Sequence, residues 1–291
     1  MASSGEVEVI DCVVDSVSGS ASVKCDDPAT EAEIRAQAFT PEEAMAVGCE
    51  PMTWDDPSQG SVLLEEAPPE MISTFEPAPA PGARTPDPMV AARVGRAWDT
   101  IERWLGAHAS ATLGRLSFPA KPEHLAMWEQ SHARRLPDDL YASYLRHDGA
   151  EGNLGDGFQL PLSYGLLGLS DIDYVNESNC ETLILEGDPE AADAEHGKWH
   201  GSLLAIGDTS DGRELFVEPR TGRVGEAAWD ERLRYDGPMG WPSYLALLEA
   251  LAHSLETGTA LRDRYPVVTA KCELRWAEDP ADSLPAGCQG S

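Results

Sequence analysis

Apolar side chains recur every three or four positions in several segments between residues 89 and 258, which is the spacing of one helix face. The longest stripe follows Asp87 and Pro88, a pair typical of an N-cap and a first helical residue. Its members are Val94, Ala97, Trp98, Ile101, Trp104, Leu105 and His108. The pattern predicts a long amphipathic helix at the start of a folded domain.

Four further helices are predicted in the same region. Their starting points are Pro122, residues 136–139, Ser170 with Asp171, and residues 241–243. The helix from Pro122 carries Trp128 on its inner face, and the helix from residue 136 has acids in its first turn and ends at Gly149. The last one presents a leucine-rich inner face, which is typical of a helix packed on a core.

Three short segments with strand-like composition lie before the last helix, at residues 202–206, 213–218 and 223–228. The pair Asp211-Gly212 and the turn at residues 219–222 separate them, so we expect antiparallel pairing. Helices followed by strands and a final helix are the α+β pattern.

The two ends of the chain have a different composition. Residues 1–88 contain 18 acidic and 3 basic residues and 11 of the 22 prolines, which predicts a largely irregular acidic tail and linker. Local order is expected only in a strand within residues 6–14 and a helix that begins at Thr40. Such a tail either stays solvated or docks onto a partner or onto its own domain. Residues 259–291 are predicted to be a second tail with a short strand at 267–274.

The net charge narrows the range of partners. With 21 basic and 51 acidic residues the chain carries a formal charge of −30, which repels nucleic acid and anionic membrane surfaces. A basic protein is the natural counterpart. The sequence lacks a run of about 18 apolar residues and a signal-peptide pattern, so we expect a cytoplasmic protein. The six cysteines form no C-x-x-C pair, and in that compartment they are expected to be free thiols.

The sequence contains only weak matches to catalytic, metal-binding and phosphate-binding motifs. His196 and His200 are four apart, but Gly197 and Gly201 favour a loop over a metal-binding helix. The glycine-rich residues 152–157 lack the lysine of a phosphate-binding loop. We therefore predict no catalytic residue, no metal and no cofactor, and we expect the segment His147-Asp148-Gly149 to end a helix and shape the adjoining loop.

Six motifs, in this order, resemble the SUKH superfamily, which includes the fungal Smi/Knr cell-wall assembly regulators and many bacterial proteins. They are W-x-x-I-E-x-W-L at 98–105, L-P-D-D-L-Y-x-x-Y-L-R-H-D-G at 136–149, L-L-G-L-S-D-I at 166–172, L-L-A-I-G-D at 203–208, D-G-R-E-L-F-V-E-P-R-T-G-R-V at 211–224 and W-P-S-Y-L-A-L-L at 241–248. The resemblance covers residues 90–257 and neither tail. One departure is the loop T-S-D-G-R-E, where the family commonly has a glycine followed by an acidic residue.

The resemblance implies a non-catalytic α+β domain with a twisted antiparallel sheet that binds other proteins. In bacteria such domains resemble immunity proteins that neutralise toxins, many of them nucleases, and in fungi they resemble scaffolds. Here the scaffold alternative assigns recognition to the acidic N-terminal tail.

A 51-residue stretch at 147–197 contains 12 acids and neither lysine nor arginine. A surface of one charge sign accelerates association with a basic partner, although general acidity of the whole protein explains the same composition. The predicted partner-binding residues are Asp148, Glu151, Asp156, Asp171, Asp173, Asp208, Asp211 and Glu214.

Overall fold

The computed structural model describes residues 12–17, 20–25, 28–51, 53–54, 82–187, 192–228 and 231–282. The helices in these parts are α1 (Pro28–Gln37), α2 (Pro41–Ala46), α3 (Pro88–His108), α4 (Ser110–Leu113), α5 (Pro122–Ser131), α6 (Asp138–Tyr144), α7 (Leu169–Glu186) and α8 (Tyr244–Thr257). The strands are β1 (Cys12–Val17), β2 (Ser20–Cys25), β3 (Thr53–Trp54), β4 (Gly165–Leu166), β5 (Leu204–Asp208), β6 (Arg213–Val217), β7 (Val224–Ala228), β8 (Tyr265–Val268) and β9 (Leu274–Ala277).

The central sheet has the order β4-β5-β6-β7, and every neighbouring pair is antiparallel. The β5–β6 register shifts between Ala205 and Gly207, and beyond this bulge Asp208 lies opposite Glu214. Strands β5, β6 and β7 correspond to the three predicted strands. Together with the helices they confirm the α+β fold class.

One hydrophobic core joins one face of this sheet to α3, α6 and α8. Trp98 of α3 is fully buried, and its Nε1 donates a hydrogen bond to Ser143 Oγ of α6 at 2.9 Å. The same hydroxyl lies 3.0 Å from Tyr244 Oη of α8. A buried polar chain thus connects the three helices, because each of these groups needs a partner once it is out of water.

The predicted helix starts are confirmed. Asp87 Oδ1 accepts hydrogen bonds from the backbone N–H groups of Met89 and Val90, and Ser243 Oγ accepts one from Ala246. Helix α6 ends at Tyr144 rather than at Gly149 as predicted. After the helix, the N–H groups of Arg146 and His147 still donate to the Ser143 carbonyl in a turn, and from Asp148, whose N–H donates to the Phe118 carbonyl at 3.2 Å, tertiary bonds replace the helical ones.

The described part of the N-terminal region contains helices, while the expectation of a largely irregular tail over residues 1–88 stays a prediction. Residues 28–51 contain α1 and α2, and Phe39, Ala44 and Val47 are buried in a second hydrophobic cluster with α7 and the far face of the sheet. The predicted helix start at Thr40 is confirmed by a capping box with Glu43. Strand β1 overlaps the predicted strand only from Cys12, and residues 6–11 lie outside the described residues.

The predicted C-terminal tail also forms defined structure. The single predicted strand is wrong, because β8 and β9 form an antiparallel hairpin there. Leu274 is fully buried in the main core, and its N–H donates to Thr112 Oγ1 at 2.8 Å. The predicted domain boundaries at residues 88 and 258 stay a prediction. Ordered elements lie on both sides of residues 89–258.

The expectation of free thiols is wrong. Cys49 and Cys180 form a disulfide across 131 residues of sequence, and Cys25 and Cys272 are also disulfide-bonded. The physical reason is that tertiary folding juxtaposes cysteines that are distant in sequence, which spacing alone does not reveal. Within the described residues, no helix combines the length and apolar character that crossing a membrane requires.

Candidate partner-binding surface

The N-terminus of α7 collects the first group of predicted acids. Asp171 Oδ2 accepts a hydrogen bond from the Gly168 N–H at 2.8 Å, and Asp148 Oδ1 accepts one from the Leu169 N–H, also at 2.8 Å. Both carboxylates satisfy N–H groups that a helix start leaves unpaired, and they lie near the positive end of its dipole. These two acids therefore fix the start of α7 in addition to carrying charge.

The Asp148 carboxyl is half-buried. Burial raises its pKa, the bond from the Leu169 N–H opposes that shift, and the nearby Asp171 carboxylate raises the pKa further. The pKa of Asp148 lies above its ordinary value as a result. Part of its charge is withdrawn from solvent, and it contributes less to long-range attraction than an exposed aspartate does.

Asp173 connects α7 to α5. Its Oδ1 accepts a hydrogen bond from Trp128 Nε1 at 2.8 Å and lies 3.1 Å from His132 Nε2. Complete burial raises the pKa of the neighbouring Tyr144 well above its ordinary value, and the negative charges of Asp148, Asp171 and Asp173 add to that shift. The three aspartates thus all contribute to the electrostatic environment of the Tyr144 hydroxyl.

Three exposed apolar residues are linked to this acidic group by a backbone bond or by adjacency in sequence. Phe118 is 90% exposed and its carbonyl bonds the Asp148 N–H, while Tyr174, 63% exposed, follows Asp173 in α7. Met127 is 46% exposed and precedes Trp128 in α5. We name this combination the α7 surface; it consists of Phe118, Met127, Asp148, Asp171, Asp173 and Tyr174. Exposed aromatic side chains beside charges are typical of protein-binding sites.

Glu151 and Asp156 lie in the loop that continues from Asp148. Both are exposed, and the loop is held by backbone bonds, including Glu151 N–H to the Arg115 carbonyl at 2.7 Å and Gly157 N–H to the Glu151 carbonyl at 2.9 Å. Their carboxylates extend the negative charge next to the α7 surface without a capping role.

The second group of predicted acids lies on the β5–β6 hairpin. Asp208 and Glu214 are directly opposite each other in the register, whereas Asp211 is exposed at the turn and pairs with Arg213 at 3.1 Å. Burial raises the pKa of Glu214 to about 7; a hydrogen bond from Asn179 Nδ2, at 3.4 Å, lowers it, and the Asp208 carboxylate raises it. This pair is largely withdrawn from solvent, so it fits a partner-binding role less well than the α7 surface does.

Sequence reasoning therefore located the acids but missed the apolar part of the surface. Phe118 stands alone between polar and proline positions, and no periodic pattern marks it as exposed. The segment His147-Asp148-Gly149 does not end α6, which stops at Tyr144, but it does shape the loop that follows. His147 Nδ1 lies 2.9 Å from the Ser117 carbonyl oxygen, and its Nε2 lies 2.9 Å from Glu102 Oε1.

Comparison with known proteins agrees with this architecture. Residues 119–235 match the model of the SMI1/KNR4 family (SUKH-1), a range that contains α5, α6, α7, the central sheet and the whole α7 surface except Phe118. A search of the curated proteins finds no match. The matched residues carry four of the six motifs that suggested this relationship, so this central part of the chain is similar to a SUKH-1 domain.

Proposed function

We propose that this protein is a non-catalytic binding protein of the immunity type, and that its α7 surface binds a basic protein such as a nuclease toxin. The observation that carries the proposal is that Asp148 and Asp171 bond adjacent N–H groups at the start of α7, while Phe118, whose carbonyl bonds the Asp148 N–H, and Tyr174 of α7 are exposed. Aromatic anchors supply most of the affinity of a protein interface, and surrounding charges supply rate and selectivity.

The chemistry of the surface supports a basic protein over other partners. Exposed Glu151 and Asp156 add negative charge beside it, and a nuclease is positively charged where it holds nucleic acid. An acidic surface on this protein would bind the same positive side chains of the nuclease and so compete with nucleic acid for them. Nucleic acid and anionic membranes are repelled by the −30 net charge and are not proposed as partners.

Binding of the purified product of the neighbouring gene, followed by calorimetry and by association kinetics at several salt concentrations, tests the proposal. We expect a sub-micromolar dissociation constant, and about a tenfold loss of affinity for Phe118→Ala, since truncating an anchor costs more than 1 kcal/mol. The double variant Glu151→Lys/Asp156→Lys is expected to associate more slowly at low salt, with the difference vanishing at high salt.

Matched controls lie elsewhere on the molecule. Met89→Ala removes a side chain that is 78% exposed on α3, and Glu256→Lys reverses an exposed charge on α8. Both are expected to bind like the wild type. Asp148 is a poor target for charge reversal because its carboxylate also caps α7. Equal affinities of Phe118→Ala and Met89→Ala would argue against the α7 surface.

A scaffold role through the acidic N-terminal tail is the second candidate. Residues 28–51 are packed against the domain of the same chain, so the buried side chains of Phe39, Ala44 and Val47 contact a partner only after release. The sequence favours a cytoplasmic location for either role, whereas the disulfide-bonded cysteines favour an oxidising compartment.

A further inference from the structure

Residues 28–51 lie outside the matched SUKH-1 range and yet cover one of its apolar faces. Phe39, Ala44 and Val47 are the buried anchors on the segment side. The face beneath them is formed by Cys180, Leu183, Ile184, Trp199, Leu203, Phe216, Ala227 and Leu233. We name residues 28–51 the docking segment.

Three hydrogen bonds attach the backbone of the docking segment to the domain. The Phe39 N–H donates to the Ile184 carbonyl at 3.1 Å, and the Gly201 N–H donates to the Val47 carbonyl at 2.9 Å. Arg134 Nη2 donates to the Gly48 carbonyl at 2.7 Å. The bonds flank α2 on both sides, so the segment is held in one register, as a recognised peptide is.

The domain surface is shaped to allow this close approach. A Cβ atom added to Gly201 would lie 2.2 Å from the Gly48 carbonyl oxygen, and one added to Gly187 would lie 2.2 Å from the Gln37 carbonyl oxygen. At both places only a residue without a side chain lets the two backbones meet.

The segment also carries its own local order. Thr40 and Glu43 form a capping box, in which Glu43 Oε2 accepts from the Thr40 N–H at 2.8 Å. A preordered helix start lowers the entropy lost on docking.

The fit is nevertheless incomplete beneath the segment. Trp199 Nε1, in the apolar face beneath the segment, is buried and has no hydrogen-bond partner among the described residues. Unpaired buried polar atoms weaken packing relative to a fully satisfied core. This favours a contact that opens over one that is permanent.

We propose that the SUKH-1-like domain carries a peptide-docking face whose occupant is residues 28–51 of this chain, and that the Cys49–Cys180 disulfide locks the occupant in place. A dithiol reductant cleaves this disulfide and so allows the segment to leave the face. The disulfide takes up two electrons and two protons to give two cysteine thiols, and the reductant's two thiols become its own disulfide. This docking face is separate from the α7 surface, so either proposal can fail without the other.

Reduction alone leaves the segment tethered at a high effective concentration, so the test must also cut the connection. A sequence-specific protease site is inserted within residues 55–81 of the full-length chain, and the cleaved protein is diluted and passed through a size-exclusion column. Without reductant the N-terminal fragment is expected to stay with the domain. With dithiothreitol it is expected to separate, and Cys180 is expected to become reactive to a maleimide.

Two variants isolate the lock and the docking contact. The double variant Cys49→Ser/Cys180→Ser should release the fragment without any reductant, which separates this disulfide from the others. In the cleaved and reduced protein, Gly201→Ala should lower the affinity of the separated fragment for the domain about tenfold in a titration, since its new methyl group meets a backbone oxygen. Gly95→Ala on α3 meets nothing and should leave that affinity unchanged.

Retention of the fragment after reduction and dilution, with Cys180 still protected, would show a fixed core element and overturn the proposal. Loss of the fragment without reductant would show that the Cys49–Cys180 disulfide does not hold it, and this result would also overturn the proposal. If Cys49→Ser/Cys180→Ser fails to fold, the reduced wild-type protein still decides the question.

Discussion

The carboxylates of this acidic chain have different structural roles. Asp139 is buried and accepts hydrogen bonds from the backbone N–H groups of Leu140 and Leu245, and Glu218 is buried and accepts them from Arg220 and Thr221. Such acids fix helix starts and turns. In our proposal, recognition of a basic partner depends instead on the carboxylates that remain in solvent.

The stability of the protein is expected to fall as the pH rises through the titration of Glu214. Its pKa is raised from 4.5 to about 7 in the folded protein, so the unfolded chain releases this proton first. The free energy of unfolding therefore decreases between pH 4.5 and 7. Because one pKa unit is worth about 1.4 kcal/mol, the decrease from this group is about 3 kcal/mol.

Glu214→Gln removes the ionisable group and keeps a similar shape. Urea unfolding at pH 5 and pH 8 is expected to show a smaller difference for this variant than for the wild type. Glu177→Gln changes an exposed residue of α7 and serves as the control. An unchanged pH dependence in Glu214→Gln would show that this carboxyl is not the source.

Helix starts were predictable because they depend on neighbours in sequence. Asp87 before Pro88, Thr40 before Glu43 and Ser243 each form the expected capping bonds. The exposure of Phe118 and the pairing of Cys49 with Cys180 were not predictable, since both depend on where distant elements meet. The acids of the candidate site were found from composition, but their division into capping and exposed residues appears only in three dimensions.

The order of the C-terminal hairpin also depends on contacts with residues that are distant in sequence. Strands β8 and β9 are short, and a two-stranded hairpin is marginal alone. Leu274 anchors it in the main core, and Trp276 Nε1 donates to the Gln159 carbonyl at 2.8 Å. Its order comes from these contacts with the SUKH-1-like domain and its neighbours.

Removing one of these contacts should loosen the hairpin. Thr112→Val deletes the hydroxyl that accepts from the Leu274 N–H and leaves that buried donor unpaired, at a cost of about 1–3 kcal/mol. Amide hydrogen exchange is expected to accelerate in β8 and β9 more than in α8. Thr100→Val, a similar change at a partly exposed position on α3, should leave the hairpin protected. Unaltered exchange in Thr112→Val would contradict the anchoring role of this bond.

The molecule as a whole combines a SUKH-1-like domain with ordered segments on both sides of the matched range. The docking segment covers one face of the domain, and the C-terminal hairpin packs on the main core. Among the described residues, Phe118 and Tyr174 of the α7 surface are exposed. This exposure is the reason why we propose the α7 surface as the site for a partner.

The amide-exchange footprint of a complex with the purified product of the neighbouring gene tests the central claim most directly. Binding through the α7 surface predicts slower exchange in residues 115–120, 148–157 and 168–175, where its backbone lies. The docking segment and the C-terminal hairpin are expected to exchange as in the free protein. Protection confined to residues 28–51, with these three ranges unchanged, would contradict the account and favour recognition by the tail.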